Sequence, residues 1–139
     1  MRIEIAMLTP RQLGLNSSRF IHWGTKAKIK TAWQQAVFYA ALQFRGAHLS
    51  RAHMRITCVI RDKRSIMDTD NLLSILKSAI DVLKPAVETI GHPELGKMRL
   101  DIIADDKPGV LTIHTPVEWI IDRKRYPLTV IDLEEVPFE

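Results

Sequence analysis

The chain has 139 residues, 46% apolar and 26% charged, which is the length of one domain with enough apolar material for a core. No stretch approaches the roughly 18 uninterrupted apolar residues of a membrane span, and the start, MRIEIAMLTPRQ, lacks the layout of a signal peptide, so a cytoplasmic protein is expected. The lone cysteine, Cys58, excludes an internal disulfide and a multi-cysteine zinc site, while the net charge of +4 favours a polyanionic partner.

RIEIAM, residues 2–7, alternates apolar and charged side chains and predicts a half-buried strand. Residues 9–24 carry Pro10, Gly14, Asn16, two serines and Gly24 and read as an ordered loop with basic and aromatic side chains. Over 25–44, Ile29, Trp33, Ala36, Val37, Ala40 and Phe44 recur at helical spacing, and Gly46 supplies a stop. Alternation resumes over 52–61, with Met54, Ile56, Cys58 and Ile60 on one side, so Cys58 reads as a core thiol. After the RDKRS turn comes MDTDNLLSILKSAIDVL, a helix with an apolar stripe of Leu72, Leu76, Ala79, Ile80 and Leu83 and a polar stripe of Asp70, Ser74, Lys77 and Asp81, closed by Pro85. Gly91, Pro93 and Gly96 interrupt residues 86–104, where only a short helix near 93–98 is expected. DDKPG (105–109) is a turn, 110–119 a strand, RKRYP a turn and 128–133 a final strand. This order predicts an α+β fold, an α/β sandwich with two main helices on one face of a small mixed sheet.

The paired aspartates before the second helix are the feature that needs a reason. One N-cap needs one carboxylate, and a second beside it adds repulsion unless a cation lies between them. Asp105 and Asp106 form a second acidic pair that turn chemistry alone would explain. Together the acids are hard oxygen ligands suited to Mg²⁺. The basic residues cluster as Arg11, Arg19, Lys26, Lys28 and Lys30, then Arg61, Lys63 and Arg64 directly before the motif, then Arg123, Lys124 and Arg125. Carboxylates with a metal, beside basic clusters, suit a phosphodiester, whose charge repels nucleophiles until it is neutralised. Lys77, on the helical face of Asp70, is placed to hold a phosphate or to pair with Asp81. The histidines show no metal spacing, with His22 a candidate phosphate contact.

The stretch DTDNLLSILKSAIDVL resembles the signature of the RusA family of Holliday junction resolvases, an Asp-x-Asp-Asn followed by Leu-Lys and Asp-x-Leu. The resemblance spans residues 2 to about 120, is concentrated in 61–83, and takes in the polar loop with Asn16. It implies a homodimeric, Mg²⁺-dependent endonuclease, with Mn²⁺ as a substitute, that resolves four-way DNA junctions by paired nicks. It also implies a RusA-like fold, metal-binding acids at Asp68, Asp70 and Asp106, with Asp105 or Asp101 as substitutes for the third, and a catalytic lysine at Lys77. The candidate DNA contacts are the clustered Arg11, Arg19, Lys26, Lys28, Lys30, Arg61, Lys63 and Arg64, with Asn16 added by the resemblance. Lys77 fits a variant of the motif in which the lysine comes later, Ser74 standing at the commoner place. The gap between Asp81 and Asp106 exceeds the family's usual spacing, so an insertion within 86–104 of a single domain, residues 1–139, is expected, with the DDKPG turn returning beside the start of the motif helix. The competing expectations are a nucleic-acid-binding protein without nuclease activity and a metal nuclease acting on flaps or forks.

If the basic clusters meet a DNA backbone, log K for junction binding should fall by about 0.9 per neutralised phosphate for each decade of salt. A salt titration by fluorescence anisotropy reads this slope, and a flat response would contradict the basic-cluster interface.

Overall fold

The computed structural model describes residues 1–14, 22–86 and 98–137. Its elements in chain order are β1 (Arg2–Ile5), α1 (Trp23–Ala41), β2 (Ala52–Ile60), α2 (Thr69–Leu83), β3 (Leu111–Ile113), β4 (Glu118–Ile121) and β5 (Leu128–Glu135). Short 3-10 turns at Arg11–Leu13, Leu42–Phe44 and Lys63–Ser65 join them. The fold is α+β, a five-stranded mixed sheet with two helices. β5 lies between β1 and β2 and is antiparallel to both, while β3 and β4 run parallel to β2 along its other edge.

The alternation read in 52–61 is the burial pattern of β2: Met54, Cys58 and Ile60 are fully buried and Ile56 nearly so. They share one core with Ile3 and Ile5 of β1, Trp33, Val37 and Ala41 of α1, and Leu72, Leu76, Ala79 and Leu83 of α2, so both helices pack on the same sheet face. The α2 stripe holds as read and is wider, since Ile75 and Val82 are also buried. Helix α1 begins at Trp23, two residues before the expected start, because His22 Nδ1 accepts the Gly24 N–H at 3.2 Å and caps it. Its last expected turn tightens into the Leu42–Phe44 3-10 segment before Gly46 reverses the chain at φ +80°.

Two expectations change. The strand expected over 110–119 is two strands, with His114 to Val117 between them; Pro116 has no N–H to give a ladder and ends the first pairing. Within 86–104, Leu100, Ile102 and Ile103 are fully buried, and their N–H groups bond to the Val82 and Leu83 carbonyls at the end of α2. An isolated bridge joins Leu49 to Ile103. Residues 98–104 therefore belong to the core; the rest of the expected insertion, and nearly all of the short helix near 93–98, fall on residues outside those described. Among the described residues, no helix is long and apolar enough to cross a membrane.

Cys58 is fully buried, and desolvation pushes its thiol up to about 12. Native protein at pH 8 should therefore react with a thiol reagent more than about 100-fold more slowly than protein unfolded in guanidinium. Comparable rates would place Cys58 outside the core.

Candidate nucleic-acid interface and acid pair

Parallel alignment brings the chain out of β1, β2 and β4 at one end of the sheet, and the loops there carry Arg11, Arg61, Lys63, Arg64 and Asp68 of the side chains singled out in the sequence. β2 ends at Ile60 and leads through exposed Arg61, Lys63 and Arg64 to α2. The Arg64 N–H is taken by Asp62 Oδ1 at 2.9 Å, which sets the 3-10 turn. The loop after β1 returns to the same place: Arg11 Nη2 donates to the Arg64 carbonyl at 2.6 Å and to the Ile66 carbonyl at 3.2 Å. β4 ends beside β2, the Asp122 N–H bonding to the Ile60 carbonyl at 3.0 Å, so exposed Arg123, Lys124 and Arg125 stand at this end too. Their place at this end of the sheet was missed in the sequence, where they are a distant cluster; only the partnership of β2 with β4 reveals it.

Asp68 is the N-cap residue of α2, and its carbonyl accepts from Leu72 N at 3.0 Å. Its carboxylate makes no capping hydrogen bond. Asp70 follows in the first helical turn, and both aspartates are exposed. Neither carboxylate has a hydrogen-bond or ion-pair partner among the described residues. The next residue, Asn71, is half-buried and fixes the surroundings. Its amide nitrogen lies 3.9 Å from Met67 Sδ, its Oδ1 is buried without a partner among the described residues, and a Cβ added to Gly14 would come within 2.4 Å of that oxygen. Gly14 thus packs directly on the Asn71 side chain, and a larger residue there would have to displace that amide, so the β1 loop closes on the head of α2.

Below the acids, three of the four polar-stripe residues of α2, Ser74, Lys77 and Asp81, line a groove of about 310 Å³ against Lys26 and Lys30 of α1. Lys28, two residues from each of these, leaves α1 from a different side. The structure therefore brings Lys77, Lys26 and Lys30 together. Asn16 and Arg19 lie outside the described residues. His22, a candidate phosphate contact, spends its Nδ1 on the Gly24 cap.

The third acid is not where the sequence reading expected it. Asp106 Oδ1 is 3.5 Å from Lys84 Nζ, which also stands 3.9 Å from Asp81 Oδ1. Lys84 is the C-cap of α2, and the 15 residues of that helix put it on the order of 20 Å from Asp70. The reason is topological. β3 pairs with the first residues of β2 and the Val110 carbonyl accepts from Ala52 N, so the DDKPG turn sits at the opposite end of the sheet from the acid pair. Neither substitute changes this. Asp105 Oδ1 accepts the Asp106 N–H at 2.7 Å and its Oδ2 is 3.5 Å from Lys107 Nζ, contacts that hold its carboxyl below the usual range, the backbone bond foremost. Asp101 Oδ1 is 2.6 Å from His48 Nδ1, and its N–H bonds to the Lys84 carbonyl, again at the far end of α2. Among the described residues no group of three His, Cys, Asp or Glu side chains forms a metal site. Mg²⁺ is commonly held by one or two carboxylates with water and substrate phosphate completing the shell, and exposed Asp68 and Asp70 are donors of that kind and number.

Comparison with family models, with curated proteins and with solved structures gave no match.

Because the Asp68 carboxylate caps nothing, Asp68→Ala should change unfolding free energy by less than about 0.5 kcal/mol, against the ~1 kcal/mol lost with a working cap. Urea denaturation measures the difference, and a loss of the larger size would make Asp68 a capping residue after all.

Proposed function

We propose that the chain is a Mg²⁺-dependent, structure-specific endodeoxyribonuclease of the kind its motif resembles, acting as a homodimer on four-way DNA junctions in recombination and repair. The observation that carries this reading is the two exposed carboxylates at the head of α2, without a partner among the described residues, in a part of the surface bordered by basic turns from separate loops. Two exposed carboxylates near the positive end of a helix, with no cation in contact among the described residues, leave a place for a divalent ion shared with a phosphate. Asp68 and Asp70 would hold that ion, which when bound lowers the pKa of water and neutralises charge on the phosphodiester. Arg61, Lys63 and Arg64, with Arg123, Lys124 and Arg125, would grip the junction arms. Lys77, Lys26 and Lys30 would hold the strand leaving the acids along the α1–α2 groove. A four-way junction with two-fold symmetry requires two equivalent cuts, which a C2 dimer of single-site protomers supplies. If Asp106, the third acid the resemblance implies, acts at this site, its distance from the pair within one chain requires that it come from the second protomer.

That same distance favours a second reading, a junction-binding protein that does not cleave. Nicking assays on labelled four-way junction, fork, flap and linear duplex in Mg²⁺ or Mn²⁺ separate the readings and the substrates. Asp68→Asn and Asp70→Asn should each lower junction nicking by about 100-fold or more while binding is kept or tightened. Wild-type nicking rates in both variants would leave the binding reading. Mixing Asp70→Asn with Asp106→Asn protomers places Asp106. If it acts across the dimer, the heterodimer contains one intact site and regains single nicks; if it acts within its own chain, both sites stay broken.

A further inference from the structure

A cavity of about 430 Å³ opens beside the acid pair, in the size range of sites for small organic groups. The loop after β1 forms one side, Ile29 and Ala32 of α1 another, and Ser65, Met67 and Trp119 the rest. Ser65 and Met67 belong to the segment that leads directly into Asp68, so the cavity wall and the acids are one piece of chain. Its lining combines two chemistries. The thioethers of Met7 and Met67, the half-buried indole of Trp119 and Ile29 give broad apolar faces. Among them stand Thr9, 4% exposed, and Ser65, whose hydroxyls make no hydrogen bond among the described residues, the exposed Gln12 amide, and Arg11, whose guanidinium is engaged by the Arg64 and Ile66 carbonyls. An acyl chain would leave those polar groups unpaired, and a phosphate or sugar would leave the apolar faces uncovered. A flat heteroaromatic ring with donors and acceptors on its edge satisfies both.

We infer that this cavity receives one unstacked nucleobase from the strand held at Asp68 and Asp70, its faces against Trp119 and the methionines and its edge toward Thr9, Gln12 and Ser65. The inference rests on the nuclease reading above. A base at a branch point is the least costly to unstack, so the cavity adds a reason for branched substrates and for a preferred nucleotide beside the cut.

The test uses full-length protein and synthetic four-way junctions that carry an abasic nucleotide at each position flanking the wild-type cut. One such position should slow wild-type nicking about fivefold or more, the loss expected of one base–aromatic stack. Trp119→Leu should slow nicking of the intact junction comparably and show no further loss on the abasic junction, because the same contact is already gone. Ala32→Leu, which fills the cavity from an exposed helix position, should reproduce the loss if Trp119→Leu does not fold. Wild-type rates and cut sites for folded Ala32→Leu, or abasic and protein losses that multiply, would overturn the cavity assignment while leaving the nuclease reading intact. A wild-type protein that nicks no branched DNA would overturn both.

Discussion

The parallel alignment of β1, β2 and β4 is the constraint from which the rest of the molecule follows. Parallel strands cannot be joined by a tight turn, so each connection must carry the chain back along the sheet, and here α1 and α2 do so on the same face. The return journeys put the three strand exits at one end and the strand entries at the other. Basic loops separated by more than a hundred positions in sequence thereby become neighbours, with the head of α2 among them. The same constraint carries the DDKPG turn away, because β3 runs parallel to β2 and pairs with its first residues, so the turn that precedes β3 lies at the end where β2 begins.

The two ends of α2 illustrate how differently charge is managed. At its C-terminal end Lys84 lies between Asp81 and Asp106, and a cation there suits the negative end of the helix dipole. At its N-terminal end the charge has no contact partner among the described residues. The helix dipole favours anions at that end, which helps the fold tolerate two of them, but the dipole asks for no particular number of carboxylates and Asp68 does not use its oxygen as a cap. Asn71 packs against Gly14 and Met67 there, which brings the β1 loop to the head of α2.

Much of this was legible in the sequence because it depends on local periodicity. Met54, Ile56, Cys58 and Ile60 alternate and are buried together; Leu72, Leu76, Ala79, Ile80 and Leu83 repeat at helical spacing and face the core. The polar stripe of α2 was equally readable, and its lysine does meet lysines of α1. What could not be read depends on pairing between distant segments. Nothing local in Leu100, Ile102 and Ile103 says that they pack under the end of α2 rather than in an insertion, since glycines and a proline upstream hide any period. The break at Pro116 required knowing that 110–119 runs beside β2, where a missing N–H ends the ladder. Asp106 was drawn toward Asp68 and Asp70 by the resemblance, and only the register of β3 on β2 separates them.

The central claim is that Asp68 and Asp70, at the head of α2, are where a divalent cation meets the DNA backbone. Paramagnetic broadening of backbone amide resonances by substoichiometric Mn²⁺, with an uncleaved junction bound, tests it by location rather than by activity. The account predicts broadening centred on residues 67–71 that disappears in the Asp70→Asn protein. Broadening centred instead on Asp105 and Asp106 of a chain whose acid pair stays sharp, or none at all in the presence of the junction, would contradict it.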